Sequence, residues 1–99
     1  MFRQEVVVFT GVLSTMTRKQ AKAMVYSLGA TTQDSVTKKT TILVVGTLQG
    51  DLLTETTLST KYQQALNLID KGHMMTIMTE KEFFSFIKEE LKLWYSNFN

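Results

Sequence analysis

The sequence predicts a single α/β domain built on a parallel sheet with helices on both faces. Two apolar runs rich in β-branched residues, at 5–9 and 42–45, have the length of strands that are buried on both faces. A weaker third strand is expected at 75–78, and segments with helical spacing alternate with these runs. The expected order is β-α-β-β-α-β-α, which favours parallel pairing with right-handed crossovers.

The composition agrees with one globular domain and excludes several other classes. The 99 residues are 43% hydrophobic and 20% charged, and the longest apolar runs are far too short to span a bilayer. No basic-then-apolar leader opens the chain, so we expect no export and a cytoplasmic location. The absence of cysteine excludes disulfides and thiolate zinc sites, and the single histidine disfavours most transition-metal sites. The net charge is +2, and residues 1–61 carry seven basic and four acidic side chains.

Local signals define the first half of the chain. A helix is predicted over 17–28, because Thr17 and Gln20 form a capping box and Gly29 suits a left-handed helix end. The polar segment 30–36 is interpreted as a short edge strand or turn. Residues 47–58 show no clear period and are predicted to form a long loop.

Two further helices are predicted in the second half. The first runs over 59–71, ends at Gly72, and has the apolar stripe Tyr62, Ala65, Leu66 and Ile69. The second opens with a capping box of Thr79 and Glu82. Its predicted apolar stripe consists of Phe83, Phe86, Ile87, Leu91 and Trp94.

The chemistry-bearing residues lie where strands of such a sheet end. Thr10 and Gly11 end the first strand, and a hydroxyl and a glycine N–H there can both donate to an anion. Arg18 lies in the first turn of the next helix, within reach of the same place. Lys61 is expected at the start of the helix over 59–71, where the macrodipole disfavours a cation unless an anion offsets it. These four residues predict an anion site, although each signal alone is also typical of an ordinary turn or a solvated side chain.

An ordered series of motifs resembles the BRCT domain, in the variety found in bacterial NAD-dependent DNA ligases and in the large subunit of the eukaryotic clamp loader. The series begins with Val8-Phe9-Thr10-Gly11-Val12-Leu13-Ser14-Thr15-Met16-Thr17-Arg18 and continues with Ala21-Lys22, Leu28-Gly29-Ala30, Ser35-Val36-Thr37-Lys38-Lys39-Thr40, Leu43-Val44-Val45-Gly46, Ser59-Thr60-Lys61 and Glu82-Phe83. The connection Asp70-Lys71-Gly72-His73 and the segment before Ser59 look most like BRCT domains that follow DnaQ-type exonucleases.

The resemblance implies a four-stranded parallel sheet in the order 2-1-3-4 flanked by three helices. It implies one domain over 1–99, with a core at 4–88 and a helical extension and tail at 89–99. It also implies a phosphate pocket in which Thr10, Gly11 and Lys61 are ligands, with Arg18 added in members associated with 5′-phosphorylated duplex DNA. Phe83 stands where the family usually has tryptophan, and the segment 47–58 is longer than in ligases.

The expected function is therefore a non-catalytic module of DNA replication or repair that binds a terminal 5′-phosphate, without metal or cofactor. Four lysines are expected to add contacts to neighbouring phosphates: Lys19, Lys22, Lys38 and Lys39.

The second hypothesis is a protein-interaction module that recruits a DNA polymerase, exonuclease or ligase through the aromatic tail or the segment 47–58. The third is a flavodoxin-like binder of a small molecule. An enzyme is disfavoured, because nucleophile motifs are lacking and Glu80, Glu82, Glu89 and Glu90 are expected to be surface carboxylates. Whether the chain is complete or part of a larger exonuclease or ligase stays open.

Overall fold

A computed structural model describes residues 2–46 and 52–98, and for 52–59 it describes the backbone alone. The elements are β1 (Val6–Thr10), α1 (Arg18–Ser27), β2 (Thr31–Gln33), β3 (Ile42–Val45), α2 (Leu52–Asp70), β4 (Thr76–Thr79) and α3 (Glu80–Ser96). The predicted order of strands and helices is confirmed.

The four strands form one parallel sheet in the order β2-β1-β3-β4. This is the topology that the family resemblance implied. The central strands β1 and β3 supply most of the buried β-branched residues, which explains why their sequences are continuously apolar. The edge strand β2 is only three residues long, and its last residue, Gln33, lies beside Val8 of β1.

Side chains alternate between the two faces of the sheet, and each face has its own core. On one face Val7 and Phe9 pack with residues of α1 and α3, including Val25 and Phe83. On the other face Val8 packs with Leu43, Val36 and Ala65 of α2. Thr10 has the same parity as Val8, so its side chain points to the face that α2 covers.

The predicted helix signals at both capping boxes are confirmed. Thr17 accepts a hydrogen bond from the Gln20 N–H at 3.0 Å, and the Gln20 side chain accepts from the Thr17 N–H at 2.9 Å. Thr79 and Glu82 form the same reciprocal pair at the start of α3. Gly29 follows α1 with a φ of +94°, the left-handed conformation that the sequence predicts there.

The predicted boundaries and face of α2 are wrong. Residues 52–58 are helical, not a loop, and the rest of the predicted loop, 47–51, lies outside the described residues. The segment 52–58 contains no glycine or proline, so nothing in it stops a helix, and its threonines conceal the helical period. The side chains at 62, 66 and 69 are exposed, whereas Ala65 is buried and Leu68 packs against the core. Periodicity identified a helix here but not which of two adjacent stripes meets the sheet.

The C-terminal half of α3 extends beyond the sheet. Phe83 and Ile87 are buried as predicted, but Leu91 and Trp94 are 42% and 47% exposed, contrary to the predicted stripe. The helix has 17 residues, about 25 Å, whereas a four-residue strand spans only about 13 Å. Its last turns therefore have no sheet beneath them.

The end of β3 packs tightly against the loop after β1, and this contact makes a testable prediction. A Cβ on Gly46 would lie 2.5 Å from the carbonyl oxygen of Val12, so Gly46→Ala must displace the backbone of the loop. We expect a loss of about 1–3 kcal/mol in the free energy of unfolding, together with shifted amide signals of residues 11–13 in NMR spectra.

Gly72→Ala is the control for this change, because a Cβ there meets nothing within 4 Å and adds only the strain of a left-handed residue at φ +96°. It should leave the amide signals of residues 11–13 in place. Unchanged signals at 11–13 in Gly46→Ala would contradict the tight contact.

Candidate anion-binding site

Thr10 carries a buried hydroxyl at the carboxyl end of β1. Its side chain is 1% exposed, and Oγ1 has no hydrogen-bond partner in the described part of the chain. A buried hydroxyl without a partner costs free energy, commonly about 1–3 kcal/mol, so native proteins usually satisfy it. The sequence-based choice of Thr10 as a candidate ligand therefore coincides with an unsatisfied polar atom.

The backbone N–H of Gly11 points toward the β2 side of the sheet. The Gly46 N–H donates to the Thr10 carbonyl at 2.7 Å, so that carbonyl faces β3. In a trans peptide the N–H points opposite to the C=O, and the Gly11 N–H therefore faces away from β3. Gly11 has a φ of +78°, and among the described residues no acceptor is recorded for its N–H.

Lys61 reaches the same side of β1. The carbonyl of Glu5 accepts from β2 at Thr31, and in a parallel ladder alternate residues face the same neighbour, so the Phe9 carbonyl also faces the β2 side. Strand β2 has ended by that level, and the ammonium of Lys61 donates to the Phe9 carbonyl at 3.0 Å. The lysine thus occupies the donor position that a longer β2 would have filled.

The sequence-based argument that a helix N-terminus disfavours the charge of Lys61 is wrong. Because α2 starts at Leu52, Lys61 lies in the third turn, where the macrodipole has little influence. Burial is the main cause that lowers the pKa of Lys61, and the nearby charges of Arg18 and Lys22 lower it further, while Asp34 raises it. Desolvation and the neighbouring cations, not the helix dipole, therefore disfavour the charged form of Lys61.

Arg18 is the first residue of α1 and lies between the loop and Lys61. Its Nη2 donates to the Gly11 carbonyl at 2.6 Å. Arg18 and Lys61 both line a cavity of about 220 Å³. The other walls are Phe9, Lys22, Gln33 and Asp34. The structure therefore brings Arg18 and Lys61 together, with Gly11 bonded to Arg18, whereas Thr10 and Gly11 are not among the walls of that cavity.

The four secondary lysines fall into two groups. Lys22 lines the cavity and forms an ion pair with the exposed Asp34 at 3.2 Å, and Lys19 is exposed on α1 next to Arg18. Lys38 and Lys39 are exposed in the turn before β3, near the start of β1, since the Thr41 N–H donates to the Val6 carbonyl. They lie roughly one strand length, about 13 Å, from the Thr10 end of the sheet. Asp34, which sequence reasoning did not select, is the acidic wall of the cavity.

Glu80 is the second residue that sequence reasoning missed. It was expected to be a surface carboxylate, but it is 8% exposed and accepts five hydrogen bonds from Ser14 and Thr15. Burial by itself would raise the pKa of Glu80, but the bonds from Thr15 and Ser14 outweigh it and lower the pKa below its usual range. The available signal was the pair of hydroxyl residues in the loop after β1, whose partner the sequence does not reveal.

The described residues contain no group of three or more histidine, cysteine, aspartate or glutamate side chains that could hold a metal ion. None of the helices in the described ranges combines the length and apolar character needed to cross a bilayer.

Fold and site together define a small α/β domain whose candidate binding edge lies at the carboxyl end of β1, at the margin of a parallel sheet. The family model of the BRCA1 C Terminus (BRCT) domain matches residues 2–71, and the chain belongs to this family.

Curated relatives of the chain are DNA ligases of bacteria. It is 52% identical over 46 residues to the DNA ligase of Gluconobacter oxydans, which is 46% of this chain and 7% of the ligase. The match to the DNA ligase of a Hydrogenobaculum species is 67% over 39 residues, 39% of this chain and 6% of the ligase. For Bartonella henselae DNA ligase it is 47% over 51 residues, 52% of this chain and 7% of the ligase. The matches thus span a small fraction of the relatives' length. The similarity to the BRCT domains of ligases is confirmed, and the closer likeness to domains that follow exonucleases stays a prediction.

Proposed function

We propose that the chain, over 1–99, is a non-catalytic BRCT module of DNA replication or repair that holds the terminal 5′-phosphate of duplex DNA at Thr10, Gly11, Arg18 and Lys61. The observation that carries the proposal is the convergence of two cations at the edge of the sheet where β2 stops short. Among the residues that the structure describes, their recorded hydrogen bonds go to the main-chain carbonyls of Gly11 and Phe9, and the neighbouring Thr10 has a buried hydroxyl with no recorded partner. A cytoplasmic location with the nucleoid belongs to the same proposal.

The contacts of the two cations suggest how a phosphate would be bound. Arg18 and Lys61 are held by neutral acceptors, the carbonyls of Gly11 and Phe9, which do not compensate a full charge. Phosphate oxygens form stronger, charge-assisted hydrogen bonds, so both cations gain by exchanging a carbonyl for the ligand. Burial and the charges of Arg18 and Lys22 lower the pKa of Lys61, and Asp34 offsets this only in part, whereas a bound dianion would raise the pKa.

The choice of DNA as the source of the phosphate draws on the relatives. The matched segments belong to proteins named DNA ligase, and they make up only 6–7% of those proteins. Ligase activity itself is therefore not carried over to this chain, whereas a role beside DNA-processing enzymes is. The four lysines Lys19, Lys22, Lys38 and Lys39 would add sequence-independent contacts to the backbone of the duplex.

The test compares a duplex bearing a 5′-phosphate with the same duplex ending in a 5′-hydroxyl. We expect the protein to prefer the phosphorylated end, and Lys61→Ala to reduce that preference about ten- to a hundredfold, since one charge-assisted hydrogen bond contributes about 1.5–3 kcal/mol. Titration by fluorescence anisotropy at fixed salt measures both affinities. If about three phosphates are neutralised, log K should fall with log salt at a slope near −2.7, so binding is weak and suits tethering.

The control is Lys71→Ala, which removes the same charge from an exposed lysine just after α2. It should weaken binding to both duplexes equally and leave the preference intact. Equal affinity of the wild-type protein for the two duplexes, or the same result for Lys61→Ala and Lys71→Ala, would refute the phosphate site.

A second candidate function is protein recruitment through the end of α3. Trp94, Tyr95 and Phe98 are 47%, 73% and 85% exposed, and a mostly apolar groove of about 480 Å³ runs between α1 and α3. In this case a DNA polymerase, exonuclease or ligase partner would bind the tail. Capture of such a polypeptide should then survive Thr10→Ala and Lys61→Ala but fail when residues 94–99 are removed.

A further inference from the structure

Glu80 holds the middle of the loop that connects β1 to α1. Its Oε1 accepts from the Ser14 N–H at 2.9 Å and from the Ser14 hydroxyl at 3.1 Å. Its Oε2 accepts from the Ser14 N–H at 2.9 Å, the Thr15 N–H at 2.8 Å and the Thr15 hydroxyl at 2.6 Å. Two backbone and two side-chain donors, all from one dipeptide, therefore converge on one carboxylate 65 residues away in the sequence.

The carboxylate is ionised and is held by neutral donors. Its hydrogen bonds lower its pKa despite burial, and none of the ion pairs recorded among the described residues includes it. Hydrogen bonds depend on direction much more than an ion pair does. Glu80 therefore fixes the position of the Ser14–Thr15 backbone and does not merely attract it.

The start of α3 holds Glu80 in place. Glu80 is the first residue of this helix and lies inside the capping box, between Thr79 and Glu82. Three residues later, the ring of Phe83 is fully buried and meets the ring of Phe9 edge-to-face at 5.4 Å. Because Phe9 precedes Thr10, the same packing that seats α3 on the sheet also sets where Glu80 stands relative to the end of β1.

Both ends of the loop carry the proposed ligands. Gly11 lies three residues before Ser14, and Arg18 lies three residues after Thr15. The loop contains no helix and no strand of its own. Val12 lies against Gly46, and Leu13 and Met16 pack on the core, while the bonds to Glu80 fix the Ser14–Thr15 backbone between them. The negative charge of Glu80 opposes the binding of an anion, so its hydrogen bonds to the loop explain its presence better than its charge does.

We propose that Glu80 is a positioning residue for phosphate binding: by bonding Ser14 and Thr15 it holds the Gly11 N–H and the Arg18 guanidinium at the separation that a phosphate requires. This inference rests on the proposed function and deepens it. It predicts opposite changes in two quantities when the negative charge of Glu80 is removed. The affinity for DNA in general should rise, while the preference for a 5′-phosphate should fall.

The test is Glu80→Gln, which keeps the size of the side chain but lacks the charge and brings an NH₂ group against four donors. For the duplex ending in a 5′-hydroxyl we expect unchanged or tighter binding. For the 5′-phosphorylated duplex we expect the preference to fall about tenfold, the loss that one misplaced charge-assisted hydrogen bond produces. Thr15→Val, which removes only the 2.6 Å hydroxyl bond, should give a smaller loss in the same direction and guards against a folding defect in Glu80→Gln.

The matched control is Glu82→Gln, which removes the same charge two residues away and retains a good capping residue. It should leave the phosphate preference unchanged. A full phosphate preference in folded Glu80→Gln would overturn the positioning role while leaving the phosphate site intact. No preference in the wild-type protein would overturn the proposed function, and the inference with it.

Discussion

Phe83→Ala should lower the free energy of unfolding by about 3–5 kcal/mol, the usual cost of removing a buried aromatic ring. The ring is fully buried and makes edge-to-face contacts with Phe2 at 5.7 Å and with Phe9 at 5.4 Å. Each such pair adds about 0.5–1.5 kcal/mol beyond area burial, so one substitution removes contacts to the N-terminal segment and to β1 together. Urea denaturation followed by circular dichroism measures the change.

Phe84→Ala provides the comparison within the same helix. Phe84 is 45% exposed, so its truncation should cost about 1 kcal/mol or less. Similar losses for the two variants would show that Phe83 does not anchor α3. The family resemblance places Phe83 where tryptophan is usual, and these contacts with two phenylalanine rings show how the smaller ring fills the position here.

Glu80→Gln should lower the free energy of unfolding by about 2–3 kcal/mol at pH 7, because the partly buried hydrogen bonds from Ser14 and Thr15 lose their charged acceptor. This difference should shrink in acid. The pKa of Glu80 is lowered in the folded protein, so its contribution is fully present above the unfolded pKa of about 4.3 and is lost as the pH falls through the folded pKa. Denaturation by urea at pH 7, 5, 4 and 3 measures the difference at each pH.

Glu82→Gln is again the matched variant, because Glu82 is exposed and glutamine can also serve in the capping box. Its unfolding free energy should stay within about 0.5 kcal/mol of the wild type throughout. A difference between the wild type and Glu80→Gln that is constant from pH 7 to pH 3 would contradict the ionised, hydrogen-bonded state of Glu80.

Local signals in the sequence were enough to predict the elements of the fold. The capping boxes at Thr17 and Thr79 depend on residues three apart, and the strand at 42–45 is a continuous apolar run between polar neighbours. The order of the strands is not a local property, and it was predicted through family resemblance. What failed was the start and orientation of α2 and the last part of the α3 stripe. Ala65 and Leu66 are adjacent, and only the sheet decides which of them is buried and where α3 loses its cover.

The site was predictable only in part, for a related reason. Thr10, Gly11 and Arg18 lie within nine residues of one another, so a strand, a loop and a helix start were enough to group them. Lys61 was selected from its expected position at a helix start, an argument that was wrong, and separately through the family resemblance. Glu80 and Asp34 could not be predicted, because their roles depend on contacts with residues 65 and 12 positions away.

The shortness of β2 keeps the place where Arg18 and Lys61 meet accessible at the edge of the sheet. The Phe9 carbonyl is available to Lys61 because the edge strand stops at Gln33 instead of continuing past Val8. If residues 34 and 35 joined the ladder, a backbone N–H would donate to the Phe9 carbonyl in place of Lys61. The longer strand would then cover the place where Arg18 and Lys61 meet. Changes that favour extended pairing just after Gln33 would then close the entrance without altering any of the four proposed ligands.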